Sequence, residues 1–226
     1  MSTQTTWEQP LISVDVVAVK FDKADNGRIK FFVSRRTNAP YAGELALPGV
    51  LLSHERVSEA AVRALTTKIG VKENDIRIVR DIGISDNPDR DPRGATLSII
   101  NLAVIEDSFI PLNEDVELVS VYNLDTFKLP FDHTNLIRKA LSQLESLLMN
   151  DKEMSKALLG DEFRTTDLHS LYSQLVDVAE DSPVVPDLSN LSRRLKNTNG
   201  IQSKEVTVTS LASSGRGRPS SVWTWV

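Results

Sequence analysis

Three groups of residues in this 226-residue chain have the types and spacing to do chemistry. The first lies between Gly49 and Val71, GVLLSHERVSEAAVRALTTKIGV, where Glu55, Glu59 and Arg63 fall in a glycine-bounded segment. Carboxylates so placed are the residue type that holds Mg²⁺, a hard cation that takes oxygen ligands and neutralises charge developing in phosphoryl transfer. The second group is basic: Arg35-Arg36 at the end of a strand-like run, and Arg93 in the loop Arg90-Asp91-Pro92-Arg93-Gly94, either of which can present a guanidinium to a phosphate. Both also have an ordinary reading, as a solvated strand edge and as turn chemistry. The third group lies near the carboxy terminus, where Ser189, Asn190, Arg193, Arg194 and Asn197 precede Arg216 and Arg218. With no cysteine in the chain, thiolate nucleophiles, thiolate metal sites and disulfides are excluded.

Elements of two kinds must position these groups. LISVDVVAVKF is rich in β-branched residues, and RIKFFVSRR sets Ile29, Phe31 and Val33 in alternation with polar partners, so both predict strands. After the Gly/Pro-punctuated PYAGELALPGV, apolar residues at three- and four-residue intervals from Val57 to Ile69 predict a helix. Strands are expected at IRIVRDIGIS, ATLSIINLAVI and VELVSVYNL, followed by a helix from about Thr134 to Leu148 with one continuous apolar stripe. This α/β unit is expected to span residues 1–150. Residues 151–226 change character: a polar connection and short helix, a helix that Thr165 or Thr166 can cap, a Pro-marked loop, a second helix from Asp187, then KEVTVTSL and VWTWV as a β-hairpin. Helix, turn, helix, hairpin is the order of a winged helix-turn-helix. Trp223 and Trp225 are expected to pack against its helices.

On the helix from Asp187, at about 100° per residue, Leu188, Leu191 and Leu195 cluster as a buried stripe. Asn190, Arg193, Arg194 and Asn197 fall on the opposite face, with Ser189 to one side. Asn and Arg can read adenine and guanine edges or clamp phosphates in a major groove; equally, any soluble helix needs a polar outer face. Arg216 and Arg218 in a Ser/Gly turn add a feature suited to phosphate or minor-groove contact. The chain carries a net charge of −5, which argues against nucleic acid, yet Asp187–Arg218 holds six basic and two acidic residues. The local basic patch answers the global objection. The amino terminus has neither a basic n-region nor an apolar h-region and no apolar run is long enough for a membrane span, so a cytoplasmic protein is expected.

The Gly49–Val71 segment resembles the Nudix box, with Gly49, Glu55, Arg63, Leu65, Gly70 and Val71 in place. Where that pattern sets helical glutamates, this chain has Ala64, Thr67 and Lys68. Alanine offers no ligand, threonine a weak neutral one, and lysine puts a cation where a dication would sit. The expected fold is therefore a Nudix α/β/α sandwich with a C-terminal winged helix-turn-helix, and the expected catalytic and metal residues are none. The competing reading is an active hydrolase of ADP-ribose-like diphosphates using Glu55 and Glu59; a third is a protein-binding adaptor.

Over nearly its full length the chain resembles the Nudix-related transcriptional regulators of NAD metabolism. The resemblance is carried by Val14-Asp15-Val16-Val17, Tyr41 to Gly49, Asp91 to Gly94, Pro130-Phe131-Asp132-His133, Phe163 with Thr165, Leu191 to Leu195, and Gly217-Arg218-Pro219. Val50 stands where a second glycine is common, and Leu191 where an aromatic is. The resemblance implies a homodimeric repressor on palindromic double-stranded operator DNA. It also implies a nucleotide effector, ADP-ribose or a related NAD derivative, bound in the former catalytic cleft, with no resident cofactor. The effector contacts expected there are Arg35, Arg36, Gly49, Glu55 and Arg93.

Overall fold

The computed structural model describes residues 10–148, 150–178, 185–204 and 221–226. A continuous β-branched run makes β1 (Leu11–Asp22), and a turn with Asn26 and Gly27 at positive φ returns it as β2 (Arg28–Arg35). Then come β3 (Leu45–Ala46), β4 (Gly49–Leu51), α1 (Val57–Lys68), β5 (Ile76–Ser85), β6 (Thr96–Ile105), β7 (Val116–Ser120) and α2 (His133–Leu147). The remainder supplies α3 (Lys152–Leu159), β8 (Glu162–Arg164), α4 (Thr165–Val178), α5 (Leu188–Asn197), β9 (Ile201–Lys204) and β10 (Val222–Trp225).

The seven-stranded mixed sheet runs β3-β2-β1-β6-β5, with β4 paired to β1 and β7 to β2. β1 and β6 are parallel, and both faces of β1 are covered, which is why its run is apolar throughout. Val14, Val16 and Ala18 pack on Ala60, Ala61, Ala64 and Leu65 of α1. Val17, Val19 and Phe21 face the other way, into a cluster that includes Leu136, Ile137 and Ala140 of α2. The α/β/α sandwich is as expected. The structure differs in three details. Phe32, taken with the polar partners of β2, is buried on the α1 face. The expected VELVSVYNL strand ends at Ser120, and Val121–Asn123 form a 3₁₀ turn. The Gly/Pro-rich segment contains β3 and β4, too short for a periodicity to register.

Beyond α2, β8, β10 and β9 form a three-stranded antiparallel sheet beside α3, α4 and α5, the winged-helix arrangement. Among the described residues the strand paired with Val222–Trp225 is Ile201–Lys204, which includes the first residue of the expected KEVTVTSL strand; the rest of that segment lies outside the described residues. Thr165 begins α4 rather than capping it: Asp167 Oδ2 accepts from Arg164 N at 2.8 Å, and the Thr165 hydroxyl accepts from the Trp223 indole at 2.9 Å. Trp223 is buried, and Trp225 lies against Phe163 while donating to Gly160 O at 2.8 Å, so both tryptophans pack as expected.

The winged helix is joined firmly to the sandwich. Leu168, Leu171, Leu175, Leu191, Leu195 and Trp223 belong to the same apolar cluster as β1 and α2. Gln174, buried on α4, accepts from Ile29 N at 2.8 Å and donates to Gly27 O at 2.7 Å, while Tyr172 donates to Leu148 O at 3.2 Å. No helix among the described residues is long and apolar enough to cross a membrane.

Candidate effector cleft and nucleic-acid face

A cleft of about 370 Å³ opens at the edge of the sandwich where β1, β4, the end of α1, the loop after β5 and the start of α2 meet. Its floor is a buried ionic network. Asp15 Oδ2 accepts from Ser13 at 3.0 Å, Ser98 at 2.6 Å and Arg90 at 3.0 Å. Arg90 also binds Asp132, which takes a further bond from Ser85 at 2.6 Å. Burial works against the Arg90 charge, but its hydrogen bond to Asp132 and the charges of Asp15 and Asp132 outweigh it and raise the guanidinium above its ordinary value. Burial would likewise raise the Asp132 carboxyl, yet its bonds from Arg90 and Ser85 bring it below the ordinary carboxylate range.

His133, fully buried, sits over this floor. Burial pushes its imidazole down to about 4. Its Nδ1 accepts from Leu47 N at 3.1 Å, which requires that nitrogen to be unprotonated. Gly49 faces Asp15 across the β1–β4 pair, where a Cβ would lie 2.2 Å from Asp15 Oδ1; no larger residue fits without moving the floor.

Arg36 forms one wall. Its Nε donates to Pro40 O at 2.9 Å, and its guanidinium lies 4.8 Å from the centroid of Phe131. Phe131 meets Tyr41 edge-on at 5.0 Å, and both aromatic residues have positive φ, a conformation uncommon for non-glycine residues. Burial, then the charge of Arg93, pushes the Arg36 guanidinium down from its ordinary value. Arg93 is held by Asp91 at 2.7 Å.

Of the expected effector contacts, Arg36, Gly49 and Arg93 line the cleft. Arg35 does not: it borders a shallow recess next to the cleft and is occupied with Gly43 O at 2.8 Å and Glu117 at 3.2 Å. Glu55 does not line it either. Its carboxylate is gripped by Arg63, and that hydrogen bond lowers its pKa. Glu59 Oε2 accepts from Arg56 N at 2.9 Å, closing the first turn of α1. Ala64 is buried against the sheet, Thr67 donates to Arg63 O at 2.6 Å, and Lys68 lines the cleft. Among the described residues no three His, Asp or Glu side chains converge as a metal site requires. Sequence reasoning does not find Asp15, Asp132 and His133 as floor residues, because nothing local signals that residues 75 positions apart, such as Asp15 and Arg90, meet. Of the two arginines in the loop Arg90–Gly94, Arg90 is buried in the cleft floor against Asp15 and Asp132, and Arg93 lines the cleft beside it.

On α5, Asp187 caps the helix by accepting from Asn190 N at 2.8 Å. Leu191 and Leu195 are buried, with the leucine at 191 filling core space; Leu188, expected beside them, is 45% exposed because its turn overhangs the core. Ser189, Arg193 and Asn197 form an exposed stripe. Asn190 is half-buried, bonding Asp187 at 2.9 Å and accepting from Arg193 at 2.5 Å. Arg194 is exposed too, at the edge of a groove with Tyr172 and Glu145, about 60° from Leu191 on the helix. Lys196, counted in the charge balance but not among the contacts, is exposed on the stripe. Arg216 and Arg218 lie outside the described residues.

The sandwich with its box, and the winged helix set on it, define a Nudix-type protein with an appended winged-helix fold. No family model matches the chain. It is 30% identical over 131 residues to an ADP-ribose pyrophosphatase of Methanocaldococcus jannaschii, spanning 57% of this chain and 72% of that protein. It is 27% identical over 180 residues to the ADPR responsive transcriptional repressor NtrR of Acinetobacter baylyi, spanning 75% and 68% of the two chains. In structure it matches NrtR of Shewanella oneidensis complexed with a 27mer DNA, with a TM-score of 0.69 at 20% identity over 95% of this chain and 93% of that one. The chain belongs to the Nudix family and has the two-domain fold of its Nudix-related regulators.

Proposed function

We propose that this protein is a DNA-binding transcriptional repressor of NAD-metabolism genes that senses ADP-ribose or a related NAD derivative through a Nudix domain that does not hydrolyse it. The observation that carries the reading is the pairing of a cation-walled cleft with an exposed basic stripe on α5, joined by one apolar core. Residues 1–150 act as the sensor and 151–226 as the DNA reader. The names of the Acinetobacter and Shewanella relatives support both halves.

The lack of hydrolysis follows from the box. Glu55 is tied to Arg63, Glu59 to the helix start, and Lys68 faces the cleft, so these residues do not suit the divalent cations that diphosphate cleavage needs. The protein acts as a homodimer on a palindromic operator, because one short recognition helix reads few base pairs. The effector favours a second spacing of the two winged helices and shifts the equilibrium by its difference in affinity for the two states. The α2 helix carries that shift: its N-cap Asp132 is bonded to the cleft floor through Arg90, and its far end meets Tyr172 of α4.

The test is a mobility shift with promoter DNA from the protein's own genomic neighbourhood, with and without ADP-ribose. A sequence-specific complex dissolved by ADP-ribose is expected, weakening steeply with salt as counterions are released. No specific complex, or one untouched by Arg193→Ala combined with Arg216→Ala, overturns the DNA-reading assignment.

The identity to the archaeal ADP-ribose pyrophosphatase favours one alternative, an active hydrolase. Mg²⁺-dependent release of AMP from ADP-ribose, abolished in Glu55→Gln, would establish it.

A further inference from the structure

Every cation on the cleft but two is already paired. Arg63 is held by Glu55, Arg90 by Asp15 and Asp132, and Arg93 by Asp91. Arg36 and Lys68 form no ion pair among the described residues, yet both border the cleft and the recess beside it, so they face one continuous space. Arg36 is fixed in place by Pro40 O and the ring of Phe131, whereas Lys68 is exposed at the last turn of α1. In a chain of net charge −5, two unpaired cations turned into one cavity are an electrostatic vacancy for a dianion.

We propose that Lys68 and Arg36 form a metal-free diphosphate subsite, the Lys68 ammonium supplying the charge neutralisation that a divalent cation would otherwise bring. This rests on the reading of the cleft as a nucleotide sensor and deepens it by naming the groups that meet the phosphates. A diphosphate diester carries two negative charges, matched by these two cations without any added ion. Arg36 offers a fixed fork of donors to one phosphate, and Lys68 a mobile point charge to the other. Gly49 borders the same space as both cations. The presence of Lys68 also penalises a phosphate-bound dication, so the ligand is taken up in preference to its Mg²⁺ complex.

The proposal is tested by calorimetric titration of the full chain with ADP-ribose, in excess EDTA and in Mg²⁺, and with inorganic pyrophosphate in EDTA. ADP-ribose is expected to bind at least as tightly in EDTA as in Mg²⁺, and Lys68→Met to weaken both probes about tenfold. Lys68→Glu is expected to bind ADP-ribose poorly in EDTA and to recover in Mg²⁺. Lys68 is exposed, so neither variant threatens the fold. Wild-type binding that collapses in EDTA, turnover of ADP-ribose in Mg²⁺, or wild-type affinity in Lys68→Met overturns the subsite. If ADP-ribose fails to bind while pyrophosphate binds in a Lys68-dependent way, the effector reading falls and the subsite stands. If neither binds, both fall.

Discussion

Arg90 at the floor of the cleft is 5% exposed and bonded to Ser13, Asp15 and Asp132 at once, whereas Arg193 on α5 is exposed and bonded to its neighbour Asn190. The same side chain serves opposite ends. Buried, it is a fixed strut whose charge must be answered atom for atom, and its removal leaves two carboxylates uncompensated. Exposed, it is a long arm whose charge acts through solvent and whose removal leaves the fold alone. A cleft built from the first kind of arginine is preorganised for one ligand shape, while a helix bearing the second kind can meet an extended polyanion.

The contrast is broken most directly by Arg90→Ala. The variant is expected to lose about 3–5 kcal/mol of stability, read by urea denaturation. A loss below about 1 kcal/mol would mean that the floor is not a strut.

Next in size is the pH response of the floor. His133 has a folded pKa near 4, below its ordinary 6.5, so the unfolded chain binds the proton more readily. Stability from this group is complete above pH 6.5, falls as pH drops through that window, and is exhausted below about 4. The total is on the order of 3 kcal/mol. Urea midpoints taken from pH 7 to pH 4.5 should decline in the wild type, with that part of the decline missing in His133→Asn.

On the other side of the comparison, Arg193→Ala is expected to reduce operator affinity about tenfold and the salt slope by about 1, with stability changed by less than about 0.5 kcal/mol. Fluorescence anisotropy across a salt series reads both. A large loss of stability with unchanged DNA affinity would erase the distinction. The smallest effect is Thr165→Val, which removes the acceptor for the Trp223 indole at about 1 kcal/mol, visible as a lower melting temperature.

What the sequence made legible divides along the same line. The apolar run of β1, the three-and-four spacing of α1 and the stripe of α2 are local patterns, and the elements stand within a residue or so of where the patterns put them. The box could be read position by position, including Lys68 on the cleft. Convergence could not: that Asp15, Arg90 and Asp132 share one network depends on the order of strands in the sheet, which no window of sequence contains. The departure at Leu188 on α5 has a different origin. Helical angles correctly put Leu191 and Leu195 inside, but they treat the helix as equally covered along its length. Leu188, in the first turn, is exposed for that reason. Lys196 was within reach of the same arithmetic, since it falls on the stripe of Ser189 and Arg193.

The bond between Gln174 and the β1–β2 hairpin bears on how the chain is made. Gln174 offers an oxygen to Ile29 N and a nitrogen to Gly27 O, as a neighbouring strand would with its main chain. During synthesis the hairpin leaves the ribosome early, but the residue that completes its edge comes 145 positions after Ile29. The α/β/α sandwich therefore waits with two main-chain groups open until the winged helix has begun to emerge. A nascent chain halted near residue 150 ends short of Gln174 and leaves the Gly27 carbonyl and the Ile29 amide without that partner.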